Sequence, residues 1–194
     1  MQPLKIDTPE QGTVRQLADD LYWARFPLPF RLNHINLYMI DTKDGWVLID
    51  AGIHNERTAT IWTQLLDGPL AGKPIAKIII THHHVDHIGY VAELSKRTGA
   101  PVFTSADEIV KSEWMMAQED DEFAELLDNT YRSYGLGEEI REQAKNNKGR
   151  FRRYVAPLPP LSKMDEGEVI ISTEGVFKVR IDKGHSQAQI GIVD

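Results

Sequence analysis

The chain has 194 residues, 41% of them hydrophobic, no cysteine, and a formal net charge of −7. That length and apolar content suit a single domain with a sizeable core. The missing cysteine excludes disulfides and thiolate metal sites, and the acidic balance argues against a nucleic-acid partner. No apolar run reaches the roughly 18 residues that a membrane span needs. Met1-Gln2-Pro3-Leu4-Lys5-Ile6-Asp7 has no basic segment leading into an apolar one, so a cytoplasmic protein without a signal peptide is expected.

Residues 21–24 read as a first strand, followed by Pro27-Leu28-Pro29. Residues 36–40 and 46–50 read as two strands joined by the turn Asp41-Thr42-Lys43-Asp44-Gly45. Asn55 is an N-cap for a helix through Leu66, with Ile61, Trp62, Leu65 and Leu66 on one face and Gly68-Pro69 as its stop. The apolar run at 76–81 is a buried strand, and a helix from Ile88 to the stop at Gly99 follows it. Residues 101–104 form a short strand, and Ser105-Ala106-Asp107-Glu108 has capping-box spacing. Such alternation of strand and helix implies an α/β core.

The stretch 111–160 is different in kind. It holds the acidic run Glu119-Asp120-Asp121-Glu122, helical segments at 123–134 and 138–146, the basic cluster Lys148-Gly149-Arg150-Phe151-Arg152-Arg153, and the exit Pro157-Leu158-Pro159-Pro160. Residues 168–172, 176–182 and 189–193 then read as strands of a second sheet. The chain has no internal repeat and no low-complexity tract.

Between the strand at 76–81 and its helix lies His82-His83-His84-Val85-Asp86-His87, with four of the seven histidines. His82, His84 and Asp86 recur at every second position, an extended-chain spacing that puts them on one side. His87 breaks the alternation, so the chain must turn near 85–87 for its ring to join them. His83 points away, which makes it a supporting or surface residue without a metal bond. An expression tag would sit at a terminus and would lack the Asp-His continuation. Packing several polar rings together without a partner is costly, whereas neutral imidazoles and a carboxylate are the donors that zinc and related cations take.

Thr81-His82-x-His84-x-Asp86-His87-x-Gly89 resembles the signature of the metallo-β-lactamase superfamily, which includes glyoxalase II-type thioesterases, lactonases, β-lactamases and nucleases. Leu48-Ile49-Asp50-Ala51-Gly52 is similar to that family's early Asp-x-Gly motif, and Gly184-His185-Ser186 to its Gly-His-Ser/Thr motif, in the same order along nearly the whole chain. The resemblance implies an αββα sandwich over 1–194 with an incomplete second sheet. It assigns His82, His84 and His185 to a first metal, Asp86 and His87 to a second, and a bracing role to Asp50. Zinc is the implied ion, one or two per chain, with manganese or iron(II) as alternatives. Relatives add a bridging aspartate and a last histidine further along, so this chain, stopping at Asp194, is expected to be truncated and its second site short of ligands.

The function implied is hydrolysis of a small ester, thioester or lactone by a metal-activated hydroxide, with Asp86 orienting the nucleophile or taking its proton. Two other readings stay open: a nuclease of the same superfamily, using Arg150, Arg152 and Arg153 against a polyanion, and a noncatalytic metal-binding remnant. The 111–160 stretch is either a lid over the metal cleft or a solvated helical excursion or dimer contact. His34 either faces the cleft or is structural. Tyr90 stands where many glyoxalase-type relatives have a second glycine.

Overall fold

The structure is a computed structural model that describes residues 6–146 and 152–194. Its larger sheet has the order β1 (Arg15–Ala18), β2 (Leu21–Pro27), β3 (His34–Thr42), β4 (Gly45–Ile49), β5 (Ile75–Ile79), β6 (Val102–Thr104), β7 (Leu161–Lys163). Pairing is antiparallel from β1 to β4 and parallel from β4 to β7. All five residues of β4 are buried, which requires cover on both faces of the sheet.

Side-chain alternation divides that cover. Leu37, Met39, Leu48, Ile78 and Ile80 face a core with Ile61, Trp62 and Leu65 of α1 (Glu56–Asp67) and Val91 and Leu94 of α3 (Val91–Thr98). Ile40, Val47, Ile49 and Ile79 face the opposite way. There they meet Ile170, Val179 and Ile190 of a second, antiparallel sheet ordered β10 (Gln189–Val193), β9 (Val176–Asp182), β8 (Val169–Ile171). Helices on one face and a sheet on the other make the expected α/β sandwich, with three strands in the second sheet among the described residues. No helix among these residues is long and apolar enough to cross a membrane.

Local signals explain several boundaries. The Asn55 side chain accepts the Thr58 N–H at 2.8 Å and starts α1 as its cap. The β3–β4 hairpin closes between Thr42 and Gly45, where Gly45 takes φ 132°. Two strands went unread in the sequence: β1 is almost wholly exposed and β7 has only three residues, so neither shows an apolar rhythm.

The helix expected from Ile88 to Gly99 is instead two helices, α2 (Val85–Ile88) and α3, with a break at Gly89 and Tyr90. Tertiary bonds take the backbone there. Ala51 N–H donates to the His87 carbonyl, Tyr90 N–H to that of Gly52, and Ala156 N–H to that of Gly89. The expected boundary at residue 111 falls inside α4 (Ala106–Ala117). Then come α5 (Asp120–Ser133) and α6 (Glu138–Asn146), clamped by Asp128, which takes Arg132 at 2.9 Å and Arg141 at 2.8 Å. These three helices form the crossover from β6 to β7.

At Gly89 a Cβ would lie 2.2 Å from the Tyr154 carbonyl oxygen, 2.3 Å from that of Val85 and 2.8 Å from the Ile53 Cα. All three are backbone atoms, so neither a rotamer change nor a flexible side chain relieves the clash. Gly89→Ala is expected to cost about 3 kcal/mol and to lower Tm by roughly 6 to 12 °C for a chain of this size, read by thermal melting.

Candidate metal centre

Parallel strands β4, β5 and β6 deliver three short loops to one edge of the sheet, the carboxyl edge where α/β sheets bind ligands. Asp50 ends β4. Its backbone is left-handed, φ 66°, a conformation aspartate tolerates better than branched residues. Its carboxylate is 4% exposed and accepts the Thr81 N–H at 2.7 Å, the Thr81 hydroxyl at 3.0 Å and the His87 Nδ1–H at 2.7 Å. Asp50 therefore braces the histidine loop, the role expected of it.

The loop after β5 holds the rings. Thr81 Oγ1 is 3.0 Å from His82 Nδ1 and 3.2 Å from His87 Nδ1. With both Nδ1 atoms engaged, both Nε2 atoms are left to the interior. His82 Nε2 lies 3.0 Å from His84 Nδ1, and the His185 ring stands edge-on to both, with centroids 4.9 and 4.7 Å away. One ring nitrogen from each of His82, His84 and His185 falls within 4.8 Å of the others. Asp86 and His87 adjoin this group: the His87 ring centroid is 4.0 Å from that of His82, and its Nε2 is 3.6 Å from Asp86 Oδ2. Of the five residues singled out in the sequence, His82, His84 and His185 converge, and His87 and Asp86 stand beside them.

Protonation favours cation binding by His82 and His84. Burial, then the neighbouring His87 and His84, pushes His82 down to about 3. Burial, then His83 and His185, pushes His84 down to about 4. Both rings are neutral near pH 7, with lone pairs that have no proton to lose first. His87 is opposite: burial lowers it, but the Asp50 charge, the Asp50 hydrogen bond and the Asp86 charge together raise it above the ordinary value. Donors on a tetrahedral ion with bonds of 2.0–2.1 Å stand about 3.3 Å apart. The His82–His84 spacing matches that, and the all-nitrogen donor set suits a borderline cation such as zinc.

A second network, not foreseen from the sequence, ties the loops together. The His83 N–H and Nδ1 meet Glu108 Oε2 at 2.8 and 2.7 Å, while the Ser186 hydroxyl donates to Glu108 Oε1. Glu108 is 1% exposed. The capping box is only half formed: Ser105 Oγ accepts the Glu108 N–H at 3.3 Å, but the carboxylate serves His83 and Ser186 in place of the helix start. Ser105 Oγ also donates to the Ala188 carbonyl at 2.7 Å. The His83 ring, turned to Glu108 with its centroid 4.9 Å from that of His84, thereby couples residues 82–84 to residues 185–188.

Two cavities adjoin the centre. One of about 880 Å³ lies between α4, α5, α6 and the loop with Leu28, Phe30 and Leu32, with His84 and Asp86 on its wall. The other, about 630 Å³, is bordered by His84, His185, Asp107, Lys111 and Lys183. His34 lines neither. It bonds Asn33 at 2.7 Å and borders a separate hollow with Arg25 and Pro27. Arg153 also lines neither and lies against the Tyr154 ring. Arg150 and the Arg152 side chain lie outside the described residues. Tyr90 stacks on His54, with ring centroids 6.0 Å apart.

Residues 31–194 match the family described as the Metallo-beta-lactamase superfamily, and the chain belongs to it. A hydroxyacylglutathione hydrolase of Pseudomonas paraeruginosa is 32% identical over 135 residues, which are 68% of this chain and 46% of that protein. A probable metallo-hydrolase of Bacillus subtilis, YybB, is 31% identical over 98 residues, 50% of this chain and 42% of its own length. Among solved structures, a beta-lactamase domain protein from Burkholderia ambifaria superposes with a TM-score of 0.79 at 26% identity, covering 98% of this chain and 53% of that one. These alignments span about half the length of each relative, or less.

Removing the brace tests its role. Asp50→Ala leaves the Thr81 N–H and the His87 Nδ1 without their acceptor, and zinc affinity is expected to fall about 10- to 100-fold, read by competition with a chromophoric chelator. Glu108 offers a pH test. Burial alone would raise its carboxyl, but hydrogen bonds from the His83 ring, Ser186 and the His83 N–H, with the His83 charge, hold it at about 2 against 4.5. A depressed carboxyl contributes stability in full above its unfolded value and loses it as pH falls. Urea melts should show wild type and Glu108→Gln differing most above about 4.5 and converging toward about 2.

Proposed function

We propose that this chain carries the centre of a divalent-metal hydrolase acting on a small ester, thioester or lactone. The observation that carries this reading is a trio of convergent imidazoles, two of them held neutral, beside a cavity large enough for a small molecule. Similarity to hydroxyacylglutathione hydrolase supports the thioester member of that substrate set.

His82, His84 and His185 would hold the first cation, and Asp86 with His87 would contribute to a second. Zinc, manganese or iron(II) bound there supplies Lewis acidity and lowers the pKa of water from about 15.7 toward about 7. The chain's own residues do the rest. Asp86, on the cavity wall, orients the attacking water and takes its proton on a carboxylate oxygen. Asp50 and Thr81 keep the rings in register, so the donors need no rearrangement during reaction. Water oxygen joins the carbonyl carbon, the bond to sulfur or oxygen breaks, and the leaving group takes up a proton. In this reading α4, α5 and α6 act as the lid within 111–160, since their side chains wall the cavity that reaches His84 and Asp86.

The test pairs metal content with turnover. Protein loaded with zinc or manganese should hydrolyse members of a thioester and lactone panel. His82→Ala should retain less metal by elemental analysis and lose about a hundred- to thousandfold in kcat/KM, as expected when an electrostatic anchor of the transition state is removed. Turnover that survives metal removal would overturn the proposal. Tight binding of about one ion with no turnover across the panel would favour the noncatalytic reading.

A further inference from the structure

The two cavities differ in chemistry and meet at the same residues. The larger is walled by apolar side chains, among them Leu28, Phe30, Phe123, Leu127 and Leu136. Its volume of about 880 Å³ lies near the top of the range of roughly 300–1,000 Å³ for small-molecule sites. Four of its residues stay notably exposed although apolar, Leu32 at 61%, Trp114 at 37%, Leu126 at 42% and Ile140 at 53%. The smaller cleft carries the ammonium groups of Lys111 and Lys183 against the single carboxylate of Asp107. Lys111 and His84 border both spaces, and Lys111 Nζ sits 4.3 Å from the centroid of the Trp114 ring at the junction.

We infer that the substrate is amphipathic: an acyl thioester or ester whose apolar acyl chain fills the larger cavity and whose anionic leaving group lies against Lys111 and Lys183. This rests on the hydrolase reading above and specifies its substrate. A small polar acyl group would leave the leucine and phenylalanine walls in contact with water, whereas a chain of several methylenes displaces it. The scissile carbonyl then falls at His84 and Asp86, where the apolar space meets the polar one. Hydrolysis adds water across the acyl carbon and its sulfur or oxygen. The products are a fatty carboxylate, retained on the apolar side, and an anionic thiol or alcohol, released on the lysine side.

The experiment measures kcat/KM of the metal-loaded chain for thioesters from acetyl to decanoyl, on the anionic thiol mercaptoethanesulfonate and on neutral N-acetylcysteamine. A rise of roughly two- to fourfold per added methylene is expected, because each buried methylene carries a comparable transfer free energy. The anionic series should be preferred, and Lys183→Gln should reduce that preference severalfold. Leu127→Asn should lower the decanoyl-to-acetyl ratio about tenfold. Ala144→Phe, which fills the cavity without removing a packed side chain, should lower it similarly should Leu127→Asn fold poorly. A flat or falling chain-length profile in a working hydrolase overturns the inference and leaves the proposed function standing. If no thioester turns over, calorimetry with the decyl and ethyl thioethers of mercaptoethanesulfonate decides. Tighter decyl binding, weakened by Ala144→Phe, supports the inference, while equal or absent binding overturns it.

Discussion

A single carboxylate carries the geometry of the histidine loop. Asp50 stands at the end of β4, buried, with a left-handed backbone that turns its side chain across to the neighbouring strand. There it accepts from the Thr81 N–H, the Thr81 hydroxyl and the His87 ring. Hydrogen bonds to an ionised acceptor contribute about 1.5–3 kcal/mol each, so this one residue opposes the desolvation of the His82 and His87 rings. Thr81 passes the constraint on to His82, and His82 meets His84. The bend from extended chain into α2 is thereby held at both ends, at Thr81 and at His87.

The centre was more legible in the sequence than the space around it. Extended spacing accounts for the meeting of His82 and His84, but Asp86 lies in α2, so its place beside them comes from the turn into that helix rather than from alternation. The two buried faces of β4 follow from its unbroken apolar run. The single helix expected over 88–99 fails because Gly89 is packed against backbone from both Ile53 and Tyr154, contacts that lie far off in sequence. Glu108 fails for a related reason. Its spacing from Ser105 is that of a local cap, and nothing in the sequence distinguishes a carboxylate that turns back to its own helix from one that reaches His83, 25 residues earlier. The large cavity had no linear signature, since Leu28, Leu127 and Ile140 come together only through the α4–α6 crossover.

That crossover joins support to selectivity. The first turn of α4 holds the histidine loop through Glu108, and over the next two turns Lys111 and Trp114 line the cavities. A residue that supports the histidine loop and residues that wall the cavities thus share one helix. The ion pairs of Asp128 with Arg141 and Lys145 fasten α5 to α6 away from that helix, so that side of the cavity is held independently of the Glu108 network.

The donation from Ile190 N–H to the Thr81 carbonyl at 2.8 Å bears on when the site comes into being during folding. His82 and His84 are adjacent in the chain and belong to the first sheet. His185 comes about a hundred residues later and belongs to the loop that feeds β10. Closing so long a loop is slow compared with forming the β3–β4 hairpin, so the third imidazole reaches the others only when the second sheet docks. A folding intermediate containing the first sheet alone would hold a cation through a histidine pair and exchange it readily. A site that needs all three rings would therefore report the union of the two sheets as well as the presence of its ligands.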